Sequence, residues 1–388
     1  MPGTLIILGA SARAAAFSAL RAGFSPHCGD YFADADLRRR CPATPIRDYP
    51  NELAEVARNA PPGPWMYTGA LENYPELIER ICATRTLLGN RRECLAKVRD
   101  PWQTSAALAH AGLAAPPITA SADGLPTDGS WLRKAFCSGG GAQVTAWNGG
   151  RDSTRPAESY YFQQRILGTP CAGVYVAAEG RAVLLGVSQQ LIGESWTAAR
   201  GFHYTGSIGP WRSPDVLDQF VRLGNALAAE FGLTGLFGVD AIFDGSTVWP
   251  IEVNPRFPAS VEVLERALGF SVVGLHVAAC QQGQLPAAAP QLTEQWAGKA
   301  IIWARRKTIV GDRFCAWADA LNAGQPWPAV ADIPSAGAQI SAGSPITTVL
   351  GAGETEQEVW SQLQQRAAEV LKGCDQPATS GETDLPRE

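Results

Sequence analysis

The sequence lacks the features that mark several large classes of protein. It has no Cys-x-x-Cys motif, and its nine cysteines are odd in number and scattered, so neither a disulfide framework nor a structural zinc site is expected. Its four histidines are also dispersed, which argues against zinc catalysis. No apolar stretch approaches the length of a membrane span. We therefore expect a protein without disulfides or zinc that has no membrane partner.

Charge is also scarce, and its balance is slightly acidic. Charged residues make up 18% of the chain, the net charge is −5 and the isoelectric point is near 5.6. This composition argues against a general nucleic-acid binder or a membrane-surface binder. The apolar run Leu5–Leu8 has no basic leader before it and is only as long as a strand, so no signal peptide is expected. These features predict a cytoplasmic enzyme with small-molecule partners.

A predicted β-hairpin carries the strongest chemical signal in the chain. An Asp-Gly dipeptide separates two apolar runs, which favours a tight antiparallel turn. Side chains alternate along a strand, so Glu252, Asn254 and Arg256 share one face, and Asp240 on the partner strand faces the same surface. Two carboxylates and an amide oxygen suit Mg²⁺ that bridges to phosphates, and the arginine suits a phosphate or an oxyanion. A solvated hairpin face is the alternative interpretation.

The string Glu-Val-Asn-Pro-Arg at 252–256 resembles the metal-binding strand of the ATP-grasp superfamily. That strand has an acidic residue, an apolar one and then Asn-Pro-Arg. The resemblance implies ATP and Mg²⁺ as cofactors, with Mn²⁺ as an alternative metal. It also implies metal ligation by Asp240, Glu252 and Asn254, and it makes Arg256 the catalytic residue that stabilises charge at the transferring phosphoryl group.

A loop of small residues follows the strand that we predict over Trp131–Phe136. Successive small residues let backbone N–H groups approach phosphate oxygens, and Lys134 just upstream adds positive charge. The arrangement resembles the second nucleotide-binding lysine and the phosphate-covering loop of the superfamily. The ATP contacts that this implies are Lys134, Ser138, Gly139, Gly140 and Gly141.

Two further segments resemble nucleotide-binding landmarks of the same superfamily. Lys97 precedes a predicted helix, Pro101–Ala111, as the first nucleotide-binding lysine does, although a helical lysine is more commonly a solvated charge. The predicted strand and turn at 160–168 resemble the hinge that hydrogen-bonds adenine through its backbone. The hinge contacts that this implies are Gln164, Arg165 and Ile166. The residue that contacts ribose stays open.

The first segment predicts a doubly wound α/β domain. A buried-type strand is followed by a small-residue loop, an alanine-rich helix and a second strand that ends near Asp30. Asp30 lies at about the ribose-binding distance of a dinucleotide site, but Ser11 and Ala14 replace two of the three expected glycines, and only Gly9 remains. A Rossmann-like scaffold is therefore favoured over a nicotinamide site.

The predicted fold class is α/β and α+β. We expect a Rossmann-like domain at 1–92, an ATP-grasp domain at 93–285, a small β-rich region at 286–372 and a disordered tail at 373–388. A polar, aromatic loop is predicted at 201–207. Within it, His203 and Tyr204 have two equally weighted interpretations: contact with the acceptor substrate, and ordinary packing.

The resemblance implies a ligase that activates a carboxylate as an acylphosphate and joins it to an amine, releasing ADP and phosphate. The opening segment 9–13 and the overall layout look similar to ligases of the tyramine–glutamate type in cofactor synthesis. Three alternatives are a carboxylase of the aminoimidazole ribonucleotide type, a nicotinamide-dependent oxidoreductase and a non-catalytic nucleotide-binding protein. A homodimer is left open.

Overall fold

The structure is a computed structural model that describes residues 3–150 and 159–375. The helices are α1 (Arg13–Arg21), α2 (Ala35–Arg40), α3 (Leu53–Asn59), α4 (Pro75–Cys82), α5 (Arg92–Val98), α6 (Pro101–His110), α7 (Pro214–Phe231), α8 (Val261–Leu268), α9 (Val272–Gln282), α10 (Asp312–Asn322) and α11 (Glu356–Asp375). The strands are β1 (Thr4–Gly9), β2 (Ser25–Asp30), β3 (Ala43–Pro45), β4 (Trp65–Tyr67), β5 (Ile118–Thr119), β6 (Trp131–Ala135), β7 (Val144–Ala146), β8 (Tyr160–Gln164), β9 (Thr169–Ala178), β10 (Arg181–Ile192), β11 (Tyr204–Gly209), β12 (Gly235–Phe243), β13 (Val248–Asn254), β14 (Trp296–Trp303), β15 (Thr308–Ile309), β16 (Val330–Ala331), β17 (Gln339–Ile340) and β18 (Pro345–Gly353).

The first domain is built on a parallel sheet in the order β3-β2-β1-β4. The side chains of Leu5–Leu8 are fully buried because helices cover both faces of this sheet. The predicted doubly wound α/β start is therefore confirmed. The carboxyl ends of β1 and β2 meet at one edge, where α/β sheets bind ligands.

A small antiparallel sheet in the order β5-β8-β6-β7 carries the glycine-rich loop. Lys134 on β6 lies opposite Tyr161 on β8 and Val144 on β7. The loop connects β6 to β7, and the predicted hinge follows the end of β8. The predicted phosphate-covering loop and the predicted adenine hinge are therefore both attached to this sheet.

The large sheet runs in the order β13-β12-β9-β10-β11-β14-β18-β16 among the residues described. Side chains of β9 alternate between two cores: Val174 and Val176 pack with α8 and α9, whereas Tyr175 and Ala177 pack beneath α7. The predicted metal-binding hairpin, β12 and β13, forms one edge. The C-terminal strands continue this sheet, so the domain boundary at 285/286 stays a prediction.

Two segments differ from the sequence-based expectation. The predicted loop at 201–207 ends at His203, because Tyr204–Gly209 pairs with β10 and β14 and is therefore a strand. Helix α11 continues to Asp375, so it includes the first three residues of the predicted disordered tail. The rest of that predicted tail, 376–388, lies outside the described residues.

Within the two described ranges, no single helix is long and apolar enough to span a membrane. Helices α8 and α9 satisfy the length and composition criteria only as a pair that is bent by 109°.

Candidate active site

The hairpin β12–β13 brings the predicted metal ligands onto one surface. Asp240 is directly opposite Glu252, and Gly238 is opposite Asn254, so the side chains of the two acids lie on the same face. The Asn254 amide Nδ2 donates to Asp240 Oδ2 at 3.1 Å. The pairing register shifts after Asp240, which places this residue beside an irregularity of the strand.

Asp240 is held in a low-dielectric, negatively charged environment. Its Oδ1 accepts a hydrogen bond from Gln190 Nε2 on β10 at 2.9 Å. Burial, together with the nearby Glu252 carboxylate, raises the pKa of Asp240 to about 7 against opposing contributions from Arg256, Asn254 and Gln190. A cation at this position would favour the ionised carboxylate.

Arg256 is fixed by three hydrogen bonds from its guanidinium, one of which its Nη1 donates to the Phe257 carbonyl at 3.3 Å. Its Nη2 donates to Asn254 Oδ1 at 2.8 Å, and its Nε donates to Glu72 Oε1 at 3.0 Å. Glu72 belongs to the 3₁₀ turn Leu71–Asn73 of the first domain and is buried, with its Oε2 unpartnered within the described part of the chain. The first domain therefore contributes directly to the site.

Arg99 completes the ring of charges around the hairpin. Its Nη1 lies 3.9 Å from Glu72 Oε1 and 4.0 Å from Glu252 Oε1. Its Nη2 donates to Asn73 Oδ1 at 2.7 Å and to the Phe136 carbonyl at 3.2 Å. Sequence reasoning missed Arg99, Glu72 and Gln190. The only signals were the position of Arg99 close to Lys97 and that of Glu72 in a loop at the end of a predicted strand.

Lys134 connects the small sheet to the hairpin. Its Nζ donates to Gln163 Oε1 at 3.1 Å and to the Ile251 carbonyl at 2.9 Å, and the residue is buried. The amino group thus lies between β8 and β13. A cation held there adds positive charge at the cleft that the two strands form.

The glycine-rich loop contacts the neighbouring loop at 201–203. The Gly140 carbonyl accepts the Tyr204 N–H at 3.0 Å, and a Cβ at Gly141 would lie 1.9 Å from the Phe202 carbonyl oxygen. Gly141 also has a φ of +75°, which favours glycine. The Ser138 carbonyl accepts a hydrogen bond from Asn73 Nδ2 at 3.3 Å. These contacts place the loop beside the first domain.

The predicted adenine hinge has one backbone donor that the protein does not engage. The Gln164 N–H donates to the Pro117 carbonyl, and the Arg165 N–H donates to the Ser130 carbonyl, each at 2.9 Å. No hydrogen bond from the Ile166 N–H is found within residues 3–150 and 159–375. If the hinge binds a base by N–H donation, Ile166 is the available donor.

A cleft of about 410 Å³ joins these groups. The predicted site residues that line it are Lys134, Gly140, Gly141, Gln164, Arg165, Ile166, Asp240, Glu252, Asn254 and Arg256. Ser138 lines a smaller neighbouring cavity with Arg99, and Gly139 lines neither cavity. Lys97 is exposed on α5 and does not line the cleft. Its role stays a prediction.

The donor set at the hairpin fits a hard cation through Asp240 and Glu252. The described side chains contain no group of three or more His, Cys, Asp or Glu that could hold a metal ion, because the third predicted donor is an amide. That amide oxygen, Asn254 Oδ1, already accepts a hydrogen bond from Arg256. The two carboxylates are therefore the residues best suited to Mg²⁺.

The first domain does not offer the ribose contact of a dinucleotide site. Asp30 Oδ2 accepts the Ala12 N–H at 2.5 Å, and its Oδ1 accepts the Phe32 and Ala33 N–H groups at 2.8 and 2.7 Å. Both carboxylate oxygens thus hold the loops that follow β1 and β2. This use of Asp30 argues against the nicotinamide interpretation.

Comparisons with known proteins agree with this geometry. Residues 98–260 match the family model described as the ATP-grasp domain. A segment of 63 residues, 16% of the chain, is 35% identical to the carbamoyl phosphate synthase large chain of Clostridium acetobutylicum, and it spans only 6% of that protein.

Two solved structures show how far the fold is shared. An L-amino acid ligase from Bacillus licheniformis superposes with a TM-score of 0.68 at 15% identity, covering 95% of this chain and 97% of that one. N5-carboxyaminoimidazole ribonucleotide synthetase from Thermus thermophilus superposes with a TM-score of 0.67 at 12% identity, covering 99% and 100%. At these identities the similarity concerns the fold. The chain therefore contains an ATP-grasp domain and has the fold of ATP-grasp ligases, as the Glu-Val-Asn-Pro-Arg string indicated.

Proposed function

We propose that this protein is an ATP-dependent ligase that activates a carboxylate as an acylphosphate and joins it to an amine, releasing ADP and phosphate. One observation carries the proposal: a single cleft is lined by the paired acids Asp240 and Glu252, the buried cation Lys134 and the fixed guanidinium of Arg256. Phosphoryl transfer depends chiefly on positioning and on charge stabilisation, which such groups provide.

ATP would lie between the small sheet and the hairpin. In this arrangement the backbone at 164–166 contacts the base, and Lys134 and the loop at 138–141 contact the phosphates. Asp240 and Glu252 would hold Mg²⁺, with Mn²⁺ as the alternative. When bound, the metal neutralises phosphate charge. Arg99 Nη1 lies 4.0 Å from Glu252 Oε1, so we assign to Arg99 the contact that the resemblance suggested for Lys97.

Arg256 is placed to act on the reacting groups. Its hydrogen bonds to Asn254 and Glu72 fix the guanidinium before any substrate binds, so little reorganisation is needed when charge develops. A guanidinium in this position can orient the substrate carboxylate and stabilise oxygen atoms of the phosphoryl group in transfer. The amine then attacks the acyl carbon and phosphate leaves.

The other interpretations receive less support. A carboxylase with a phosphorylated acceptor is compatible with the fold, since the Thermus thermophilus synthetase shares it. The cavity at the carboxyl ends of β1 and β2, however, is lined by acidic side chains, which would repel a phosphate group. Both carboxylate oxygens of Asp30 accept backbone N–H groups, which disfavours an oxidoreductase. The cleft contains two acids together with Lys134 and Arg256, which disfavours a non-catalytic role. The narrower tyramine–glutamate resemblance, cofactor synthesis, a homodimer and a cytoplasmic location stay predictions.

The deciding experiment is an ADP-release assay with Mg²⁺, in which a panel of carboxylic acids is tested with and without a panel of amines. We expect ADP release that requires an acid and a product that contains both the acid and the amine. Bicarbonate-dependent ADP release without an amine product would instead identify a carboxylase. Oxidation of NADH or NADPH, followed at 340 nm, would identify an oxidoreductase.

Glu252→Gln gives this assay a direct test of the site. The substitution removes one negative charge and nearly preserves shape, so the strand should survive and turnover should fall by about 10²-fold or more, because metal-held ATP is mispositioned. Thermal unfolding of the same preparation checks the fold. A folded variant with near wild-type turnover would show that Glu252 is not a metal ligand. The matched control is Glu354→Gln, an exposed acid beyond β18.

A further inference from the structure

A second cavity, of about 430 Å³, lies between the first domain and the C-terminal region. Ser11 lines it from the carboxyl end of β1, and Tyr31, Phe32 and Asp34 line it from the carboxyl end of β2. The opposite wall is formed by residues 332–348 and by Ile301. Its volume is within the range of small-molecule sites, and its position is the ligand-binding edge of a doubly wound sheet.

The charged side chains among the described lining residues of this cavity are all acidic. Asp34 and Asp332 line it, and no Lys, Arg or His is among the described lining residues. Asp332 is paired with Arg13, which is also committed to Glu262. The Asp34 side chain makes no hydrogen bond to its own helix, α2. Asp34 therefore faces a cavity with no cation in its described lining, and Arg13, the cation that acts on it, is already paired with Asp332 and Glu262.

Burial, together with the nearby carboxylates of Asp332, Asp36 and Asp30, raises the pKa of Asp34 to about 8 against an opposing contribution from Arg13. An ionised Asp34 is thus disfavoured in the empty cavity. A bound cation would offset both the burial and the repulsion. A phosphorylated acceptor would add negative charge to a cavity that already has an excess.

Aromatic rings extend from this cavity to the candidate active site. Tyr31 and Phe32, which are 50% and 45% exposed, form an edge-to-face pair at 5.1 Å. Tyr49 lies 6.0 Å from Tyr31 and 6.2 Å from Tyr74 between ring centroids. Tyr74 directly follows the 3₁₀ turn that carries Glu72, so the row of rings ends beside the partner of Arg256.

Tyr49 and Glu72 each have an oxygen that lacks a partner. Both the Tyr49 hydroxyl and Glu72 Oε2 are buried and make no hydrogen bond among the residues that the structure describes. Unpaired buried polar atoms are costly and are commonly satisfied by a ligand or water. Tyr49 packs against Tyr31, which lines the cavity, and Glu72 accepts a hydrogen bond from Arg256, so both residues lie between the two sites.

We propose that this cavity is part of the acceptor site of the ligase, and that it holds a cationic group of the acceptor at Asp34 and its apolar or aromatic body against Tyr31 and Phe32, apart from the amine that attacks the acyl carbon beside Arg256. This inference rests on the proposed ligase function. It makes Asp34 a specificity-determining residue, and it excludes a phosphorylated acceptor.

The test is calorimetric binding without ATP, so its outcome does not depend on catalysis. Hexylamine and 2-phenylethylamine are compared with 1-hexanol and 2-phenylethanol, which keep the body and remove the charge, and with 2-phenylethyl phosphate. We expect both amines to bind wild-type protein about tenfold or more tightly than their alcohols, because a charged hydrogen bond is lost with the charge.

Asp34→Asn is the informative variant. The Asp34 side chain makes no capping hydrogen bond to α2, so α2 should be retained in the variant, which the melting temperature verifies. We expect the variant to lose the preference for amines and to bind the alcohols unchanged. Asp123→Asn, in an exposed loop, should bind all ligands as the wild type does.

Three results would overturn the inference: equal binding of amines and alcohols by the wild type, an undiminished preference in Asp34→Asn, or tighter binding of the phosphate. Failure of the ligase proposal is recognised separately. Amine binding that depends on Asp34 without amine-dependent ADP release would keep the cavity assignment and reject the ligase reaction.

Discussion

At the scale of single residues, the site depends on which side chains reach the hairpin rather than on which residue types lie nearby in the chain. Lys97 and Arg99 are two positions apart at the end of α5. Successive helical residues are separated by about 100° around the axis, so they face different directions. Lys97 is exposed, whereas the Arg99 side chain is 13% exposed and lies beside Glu72 and Glu252.

This pair gives a matched comparison. We expect Arg99→Met to weaken catalysis by about 10²-fold in kcat/KM for ATP, since it removes a positive charge from the cleft, whereas Lys97→Met should stay within about twofold of the wild type. The measurement is steady-state ADP release at varied ATP. The reverse order would restore Lys97 as the nucleotide-binding lysine and leave Arg99 as a structural link between Glu72 and Glu252.

At the scale of elements, the loop between β6 and β7 owes its position to a close approach of two backbones. A side chain at Gly141 would collide with the Phe202 carbonyl, whereas a Cβ at Gly139 would meet no atom within 4 Å. The loop is therefore constrained at one glycine and open at another, although both belong to the same run.

Alanine substitution separates these two positions. Gly141→Ala should displace the loop and raise KM for ATP by about tenfold, because its φ of +75° and its contact with Phe202 both oppose a side chain. Gly139→Ala should leave KM within about twofold. The assay is ATP-dependent turnover of the two variants side by side. Equal effects would show that loop flexibility, not the Phe202 contact, is what matters.

A second element-scale property is the packing of α9 on β12. The His276 Nδ1 accepts the Leu236 N–H at 2.9 Å, and its Nε2 lies 3.2 Å from the Leu88 carbonyl oxygen. The imidazole is therefore neutral with its proton on Nε2. Burial lowers the pKa of His276 from 6.5 to about 4, because the charged form would be desolvated.

This shift predicts a pH dependence of stability. Between pH 6.5 and 4 the unfolded chain binds a proton that the folded protein does not, so stability falls as the pH falls through this window, by about 3 kcal/mol in total. Urea unfolding at pH 7, 5.5 and 4.5 measures it. His276→Asn, whose amide oxygen can accept the same N–H, should lack this contribution. An identical slope in the variant would assign the pH dependence to other groups.

At the scale of the whole molecule, one buried arginine connects three parts of the chain. Arg13 on α1 bonds both oxygens of Glu262 on α8 and both oxygens of Asp332 in the C-terminal region. Lys299 lies 3.5 Å from Glu262 and completes the cluster. Arg39 and Asp319 also join the first domain to the C-terminal region, but at the surface.

We expect these two contacts to contribute unequally to the free energy of unfolding. Arg13→Met should destabilise the fold by about 3–5 kcal/mol, because it leaves the buried acid Glu262 without its main partner. Arg39→Met should cost less than about 1 kcal/mol, since its side chain and that of Asp319 are about half exposed. Denaturant unfolding of both variants is the measurement. A small loss for Arg13→Met would mean that Lys299 alone can balance Glu262.

The sequence by itself determined the parts of the site that depend on short-range rules. The Asp-Gly dipeptide and the alternation of side chains predict a hairpin with the acids of both strands on one face, and the glycine run predicts an open loop after Lys134. The pairing of Asp240 with Glu252 itself depends on a four-residue turn, 244–247, and on the register shift after Asp240, which the sequence did not predict. Turn chemistry and strand periodicity act within a few residues, so the local chain is sufficient to specify them.

Only the tertiary structure decided the contacts between distant segments. Arg256 meets Glu72 across 184 residues, the C-terminal strands extend the large sheet, and the acidic cavity has walls from two regions. No local pattern encodes these neighbours, because packing of whole elements sets which helix ends and loops converge. The proposed role of Arg99 in place of Lys97 has the same origin: the orientation of α5 against the core brings Arg99, and not Lys97, beside Glu72 and Glu252.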